Sequence, residues 1–385
     1  MQSTIRAFAA VTLVSILSAC VSTPNPKLPP KPISQGPQSA DDGWVVSTPK
    51  NAKFDSGALE DLSKSIRSGS YGNIHAVLVE KSGALVYEQY FKGEDAIYSR
   101  SLGVVDFGPH NLHDLRSVTK SVTTLLLGIA LGDNFDAALK QPIIAHFPRL
   151  SGKTSDGIEK ITLHHVLTMT AGLEWDEVDI PYTNPLNDER RMSDASDPVA
   201  MVLGRPIVSQ PGSQWEYSGG LTQVVAGLIE EITGMGIDKY AEEKLFGPLG
   251  INDYFWQRPR AWTQGRSPSA ASGLRLRARD LAKIGSLVLA DGVWNGRQIV
   301  PKRWIEQSKR RFVQRTWGPN FGYGYMWYPS SHMGANAYGA IGNGQQRLFI
   351  VPEQKLVVTM LAGMYNQAAL NETDGIIRSV LQAQY

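Results

Sequence analysis

The stretch "LRSVTKSVTTLLLG", residues 115–128, sets a serine and a lysine three apart ahead of an apolar run. In a helix, positions i and i+3 share a face, so Ser117 at a helix start would hold its Oγ beside the Lys120 amine. The Ser117 N–H would be a first-turn donor without a helical partner, aimed where an oxyanion could form. A serine hydroxyl is a poor nucleophile until a base takes its proton. A lysine becomes such a base when burial or a neighbouring cation lowers its pKa, and "VTTLLLGIAL" supplies a helix buried enough for that. The spacing alone does not decide the matter. Ser47 and Lys50 share it in the proline-bearing "STPK", and a serine at a helix start is also an ordinary cap.

A second candidate lies in "QPGSQWEYSGG", residues 210–220. Tyr217 follows a Pro-Gly turn and precedes Gly219-Gly220 and an apolar helix. A tyrosine in a turn facing a cleft can share a proton with Ser117 and Lys120. A packed aromatic is the plain alternative, and Tyr182 in "YTN" and Tyr71 in "YGN" compete for the role. The third candidate is "AYGAIGNGQQRLFIVP", residues 337–352. A glycine-rich strand entrance lets an acyl group lie close to the backbone, and the next N–H can serve as a second oxyanion donor. It also reads as an edge strand and turn. The loop "GLEWDEVDIPYTNP", residues 172–185, brings Trp175 and Tyr182, which could line or lid a cleft or sit as surface aromatics. His164 and His165 are adjacent on an expected helix, where side chains diverge by about 100° and cannot share a ligand. No HExxH, cysteine pair, phosphate loop or Gly-x-Ser-x-Gly elbow occurs. The expectation is therefore no metal and no cofactor, and an α/β-hydrolase fold is disfavoured.

The elements that must position these residues change character along the chain. "ALEDLSKSIRS" (58–68) reads as a short amphipathic helix, and "HAVLVEKSGALVYEQYF" (75–91) as a hairpin around Lys-Ser-Gly. Residues 117–131 read as an apolar helix. Helical patterns follow to about residue 250: "LHHVLTMT", "DPVAMVLG", "GLTQVVAGLIEEITG" and "DKYAEEKLFGPLG", the last stopped by Gly250. Beyond about 270, "LRARDLAKIGSLVLADG" and "PKRWIEQSKRR" are helical, "FGYGYMWYP", "QQRLFIVP" and "KLVVTMLA" strand-like, and "ETDGIIRSVLQAQ" a closing helix. Strands at both ends around a helical block predict an α+β fold: an antiparallel sheet from about 44–110 and 270–385, flanked by helices, with an inserted all-helical lobe over about 111–269. A cleft between the two parts is the natural site.

With 385 residues, 42% of them hydrophobic, the chain can bury a large core. A net charge of +2 gives no nucleic-acid signal, and the basic residues around "WIEQS" (302–311) read as a solvated helix face. Residues 1–19 carry one cation, Arg6, and then an apolar segment too short to span a bilayer, ending Leu17-Ser18-Ala19 before Cys20, the sole cysteine. This resembles a bacterial lipoprotein signal, which implies cleavage before Cys20, a lipid on its sulfur, export, and a place on the periplasmic side of a membrane. An ordinary signal peptide with an incidental cysteine is the alternative. One cysteine cannot form an intrachain disulfide. Residues 20–43, rich in Pro, Ser and Gln, read as an extended tether to a body spanning 44–385.

Taken together, Ser117-x-x-Lys120, Tyr217-Ser218-Gly219 about a hundred residues on, and a Gly-rich strand ahead of a C-terminal helix resemble the penicillin-recognising serine hydrolases. The branch is that of class C β-lactamases, carboxylesterases and 6-aminohexanoate-dimer hydrolases. "ITLHHVLTMTAGLEW" and "SGLRLRARDLAKIGSLVLADGVWNGRQIV" support it, and the likeness runs from about 55 to 383. It implies the β-lactamase/transpeptidase-like fold, an acyl-enzyme on Ser117 and proton transfer by Lys120 and Tyr217. It also implies oxyanion donors at the N–H groups of Ser117 and Asn343, and a small ester or amide substrate without a cofactor. Two positions depart from the pattern. Gly219 stands where penicillin-binding members carry Asn, and Ala340-Ile341-Gly342 stands where they carry Lys-Thr-Gly. Losing an amide donor and a cation favours the esterase and amidase side over β-lactamase or D-amino-acid peptidase activity, unless Arg347 or a cation from 302–311 replaces the charge. An idle binding protein on the same fold is the alternative outside enzymes. Oligomeric state is left open.

Overall fold

The alternation of apolar residues in "IHAVLVEK" sends Val77 and Val79 to one side of a strand and Ala76 and Leu78 to the other, and all four are buried. A strand buried on both faces belongs inside a sheet covered on both sides, and the computed structural model has that arrangement. It describes residues 33–98, 100–315, 322–332, 335–367 and 372–385. The strands used below are β1 (Val45–Val46), β2 (Ile74–Lys81), β3 (Ala84–Tyr90), β4 (Lys92–Ile97), β5 (Arg100–Asp106), β6 (His113–Asp114), β7 (Leu274–Leu276), β8 (Tyr328–His332), β9 (Ala335–Gly342), β10 (Gln346–Val351) and β11 (Leu356–Ala362). The main helices are α1 (Ser56–Arg67), α2 (Val118–Leu131), α3 (Gly219–Thr233), α4 (Ala278–Leu289) and α5 (Glu372–Gln382).

Seven strands form the main sheet in the order β1-β3-β2-β11-β10-β9-β8. All neighbours are antiparallel except β1 and β3, which run parallel. The sheet is thus built from both ends of the chain and joined where β2 pairs with β11. The β2–β3 hairpin turns at Ser82 and Gly83, both at positive φ (52° and 87°), the geometry that matches strand twist in a two-residue turn. One face is covered by α1 and α5, whose Leu59, Leu62, Ile376 and Val380 join Val77, Val79, Val358 and Met360. On the other face α4 packs across β2, β10 and β11. A separate hairpin joins β4 to β5, and β6 pairs with β7.

The helical block runs between β6 and β7. Its axis is α2, buried from Val118 through Gly128 on every side, as a helix in the middle of a large core must be. The apolar stretch Val118–Lys140 is long enough to cross a membrane by length and composition, and half of it is buried in protein. α2 packs on α3 and touches β9 and β10, so its N-terminus is held between lobe and sheet.

Three elements differ from the sequence reading. "FGYGYMWYP" was expected as one strand; Phe321 lies outside the described residues, and the rest gives the two-residue strand Gly322–Tyr323, then a turn, then β8. Tyr325, Met326 and Trp327 are all buried, and the strand is broken by a turn in which the Gly324 N–H donates to the Trp327 carbonyl at 2.9 Å. "DKYAEEKLFGPLG" starts as an α-helix at Ile237–Ala241 and widens into a π-turn at Glu242–Phe246. Residues 33–43, expected as tether, lie against the body. Ile33 is buried in the α1 cluster, and the Arg279 guanidinium reaches the Gln38 carbonyl (2.7 Å) and Asp42 (2.8 Å) as well as Glu88. A buried guanidinium needs that many acceptors. Residues 1–32, including the signal-like segment and Cys20, lie outside the described residues.

Candidate active site

Ser117 is the N-cap residue of α2 (φ −66°, ψ −8°), and its side chain makes no capping bond. The hydroxyl is therefore free of the ordinary helix-start role. The residue before it, Arg116, has φ +50°, a left-handed conformation that costs a non-glycine residue energy and persists only where the surroundings enforce it. They do so here. The Arg116 guanidinium donates to the Tyr98 carbonyl (2.9 Å), pairs with Asp114 (3.1 Å) and lies 4.5 Å over the Tyr365 ring.

One helical turn on, buried Lys120 donates from Nζ to Ser117 Oγ at 3.1 Å and to the Ala271 carbonyl at 2.9 Å, and lies 4.8 Å over the Tyr217 ring. Tyr217 is buried and its hydroxyl shares hydrogen bonds with Ser117 and Tyr328. Burial first, and then the Glu177 carboxyl, push the Tyr217 phenol well above its ordinary range. At neutral pH it is a protonated phenol. Ser218 caps α3 by accepting from the Leu221 N–H at 3.2 Å, which fixes the chain just after Tyr217. The structure thus brings Ser117, Lys120 and Tyr217 together. It does not bring Tyr71 there, whose hydroxyl instead meets Ser379.

The opposite wall is the end of β9. A methyl group at Gly342 would lie 2.5 Å from the Leu115 carbonyl, so the strand passes in contact with the backbone leading to Ser117. Asn343, the next residue, is held by reciprocal bonds with Asn366: its Nδ2 donates to the Asn366 side chain (2.7 Å) and its Oδ1 accepts from the Asn366 N–H (2.8 Å). Ala340 is wholly buried in the main apolar cluster and offers no open surface to a substrate.

At Gly219 the structure supplies a group that sequence reasoning missed. Glu177 is buried, and its Oε2 accepts from the Gly219 N–H (2.6 Å) and Trp175 Nε1 (2.7 Å). A methyl group at position 219 would sit 3.0 Å from that oxygen. The carboxyl therefore lies where a side chain at 219 would begin, while Oε1 is buried without a hydrogen-bond partner among the described residues. Burial and the nearby Glu189 push Glu177 up to about 7, opposed by Lys120 and the two N–H donors. Trp175, expected to line or lid the cleft, is instead buried behind Glu177 as its hydrogen-bond donor. Tyr182 is half-buried, and burial together with Glu177, Glu189 and Tyr217 pushes its phenol up, which sets it beside the site. Tyr328 was also missed; Arg315 packs over its ring at 5.0 Å. Nothing in spacing separates Glu177 from Glu174, Asp176 or Asp179 in the same loop.

The substitute cations considered from the sequence have partners within the protein. Arg347 donates to the Gln346 carbonyl and Gln345 Oε1, and burial lowers it to about 10. In the 302–311 stretch Lys302 and Lys309 pair with Asp291, and Arg303 with Asp136. His164 and His165 have separate partners, the Tyr325 hydroxyl and the Thr162 N–H.

Residues 75–378 match the Beta-lactamase family. The chain is 25% identical over 282 residues to 6-aminohexanoate-dimer hydrolase of Paenarthrobacter ureafaciens, covering 66% of this chain and 67% of that enzyme. It is 26% identical over 243 residues to lovastatin esterase of Penicillium rubens, covering 57% of each. Among solved structures, a penicillin-binding protein homolog from Caulobacter crescentus superposes with a TM-score of 0.68 at 16% identity, covering 88% of this chain and 98% of that one. A family VIII carboxylesterase gives 0.66 at 15% identity with the same coverages. These structural likenesses show the fold. With a sheet assembled from both chain ends, a helical lobe carrying Ser-x-x-Lys, and a family match over most of its length, the chain belongs to the β-lactamase family of serine hydrolases.

Proposed function

We propose that the protein hydrolyses an ester or amide through an acyl-enzyme on Ser117. The observation that carries this reading is the convergence of Lys120 Nζ, at 3.1 Å, and the Tyr217 hydroxyl on one serine oxygen that is released from helix capping. Lys120 takes the Ser117 proton as Oγ attacks the carbonyl carbon. The N–H groups of Ser117 and Asn343 hold the oxyanion. Tyr217, kept protonated by burial, passes its proton to the leaving alcohol or amine and regains one from the Lys120 ammonium. Water then attacks the acyl-enzyme and regenerates Ser117.

The substrate reading rests on Glu177. A β-lactam or D-amino-acid peptide brings a carboxylate close to the scissile bond. Burying that charge requires a cation or several donors, whereas position 219 offers a glycine whose N–H is already taken by a second carboxyl. Like charges there are mutually costly. An uncharged acyl chain or a linear amide fits better, and the names of the 6-aminohexanoate-dimer hydrolase and esterase relatives support this. Fluorophosphonate labelling followed by peptide mass spectrometry should place the adduct on Ser117, and short p-nitrophenyl esters should be cleaved with a higher kcat/KM than nitrocefin. A label on another serine would overturn the nucleophile, and the reverse kinetic order would favour the β-lactamase reading. We also propose, from Leu17-Ser18-Ala19-Cys20, that the chain is exported and lipid-anchored. Cys20→Ala should then abolish metabolic palmitate labelling; unchanged labelling would remove Cys20 as the anchor.

A further inference from the structure

Behind the Ser117 turn, three buried side chains from three strands converge: His75 of β2, Asp95 of β4 and His113 of β6. His75 Nδ1 and His113 Nε2 are 2.8 Å apart, His113 Nε2 and Asp95 Oδ1 are 3.9 Å apart, and all three atoms lie within 4.8 Å of one another. The far nitrogen of each ring is committed. His113 Nδ1 faces the Asp114 carbonyl at 3.0 Å, an oxygen that can only accept. His75 Nε2 faces Asn73 Oδ1 at 3.1 Å. That amide cannot be turned over, because its Nδ2 donates to the Glu94 carbonyl at 2.7 Å. Both far nitrogens therefore carry the hydrogens, and a neutral imidazole has only one. The two near nitrogens consequently present lone pairs to each other, acceptor against acceptor, beside a carboxylate.

Asp95 receives one hydrogen bond, from the Tyr365 hydroxyl at 3.0 Å, and no lysine or arginine pairs with it among the described residues. Three electron-pair donors thus face one point that holds no donor, and a buried arrangement of that kind needs a positive centre. A single shared proton would satisfy the 2.8 Å histidine pair but leave the carboxylate beyond hydrogen-bond reach. A metal ion serves all three. Around a four-coordinate zinc with bonds of about 2.0–2.1 Å, ligand atoms stand about 3.3 Å apart; the 2.8 and 3.9 Å separations bracket that value, and the third pair, within 4.8 Å, would close on the ion as it binds. Each histidine also donates its far N–H to an oxygen, and the carboxylate is itself hydrogen-bonded, the outer arrangement that orients metal ligands. The surroundings are closely fitted. Phe107 stacks on His75 at 4.1 Å, and a methyl group on Gly93 or Gly363 would strike the His75 ring.

We propose that His75, Asp95 and His113 bind one divalent transition metal ion in a closed site, with imidazole and carboxylate ligands favouring zinc. The Tyr365 oxygen or a water supplies the fourth ligand. The ion would tie β2, β4 and β6 together four residues ahead of Ser117, while Tyr365 carries Arg116 on its ring. Its role is structural, since the ligands are sealed away from solvent. The proposal does not depend on the reaction assigned to Ser117.

The test uses the full-length chain in detergent, with an affinity tag free of histidine, produced with zinc in the medium. After dialysis, elemental analysis should find about one zinc per chain. A strong chelator should lower the melting temperature, and Zn²⁺ but not Mg²⁺ should restore it. Asp95→Asn keeps the side-chain shape but removes the anionic ligand, and should lower metal affinity by at least about 10–100-fold, the loss that even an outer partner of a ligand causes. If that variant does not fold, the wild-type measurements decide alone. Folded wild-type protein with well under one metal per chain, and a melting temperature indifferent to both chelator and zinc, would overturn the proposal in favour of a shared proton.

Discussion

Two buried polar clusters meet on the segment His113–Lys120. One joins Ser117, Lys120, Tyr217 and Glu177 and reaches solvent through the half-buried serine. The other joins His75, Asp95 and His113 and is sealed. The first is built around a single helical turn, so its central contact follows from a three-residue spacing. The second exists only once β2, β4 and β6 have been laid beside one another. The first leaves a hydroxyl accessible and a phenol charged with its proton, the condition for chemistry. The second closes its ligands off, the condition for holding structure. Arg116 links them, forced to positive φ next to the serine and stacked on the tyrosine that binds Asp95.

Substitutions can break this contrast, beginning where the effect is largest. Ser117→Ala should reduce ester turnover by roughly 10⁵–10⁶-fold, as loss of a nucleophile does, with circular dichroism and melting temperature unchanged. Near-normal turnover would move the chemistry elsewhere. Lys120→Ala and Tyr217→Phe should each cost about 10²–10⁴-fold in kcat, the usual worth of positioned proton transfer. Both should spoil far less if the site merely binds.

Glu177→Gln sharpens the selectivity argument. It keeps the acceptor for Gly219 and Trp175 and removes the charge, so kcat/KM for nitrocefin should rise by about tenfold relative to a neutral ester. Because burial raises Glu177 to about 7, the wild-type carboxyl is neutral below that pH and charged above it. The gap between variant and wild type should therefore open as pH rises through about 7 and close at pH 5. A gap independent of pH would assign the effect to shape.

The smallest effect is expected at Glu80, a lone buried acid of β2 outside both clusters. Its Oε1 accepts from the Gly83 N–H, and burial raises it to about 7 from an ordinary 4.5. A raised carboxyl binds its proton more tightly in the folded state, so it weakens the fold as pH climbs from about 4.5 to 7, and above that the full penalty stays constant. Glu80→Gln should stabilise the protein at pH 8 by on the order of 1–3 kcal/mol and change little at pH 4.5, measured by chemical denaturation. Equal effects at both pH values would show that the charge is not the cause.

Much of this molecule is legible in the sequence. Periodicity gave α1, the β2–β3 hairpin, α2 and the closing helix, because each buries one regular stripe or alternation. Ser117 and Lys120 could be paired because a helix converts their spacing into contact. Tyr217 needed the family resemblance, since no local rule separates it from Tyr182 or Tyr71. Glu177 stayed hidden among the acids of its loop until Gly219 was seen to leave room for it. The histidine cluster was beyond reach for a different reason: its members lie on separate strands, and strand pairing over such distances is a property of topology. The sequence leaves Trp175 open between lining a cleft and sitting on the surface, and it does neither: it is buried and supports Glu177.

The seam where β2 meets β11 has a further consequence, in time. Residues 74–81 must wait for residues 356–362, so the pairing that closes the sheet forms only when nearly the whole chain is available. Closing a loop of that length forfeits entropy before any contact rewards it, and such topologies fold slowly. Until then the apolar flank of α2 has no sheet to rest on, and a partly made chain is a sticky one. The last strand and the helix after it therefore act as the latch of the whole fold, and a truncation there removes far more than the residues it deletes.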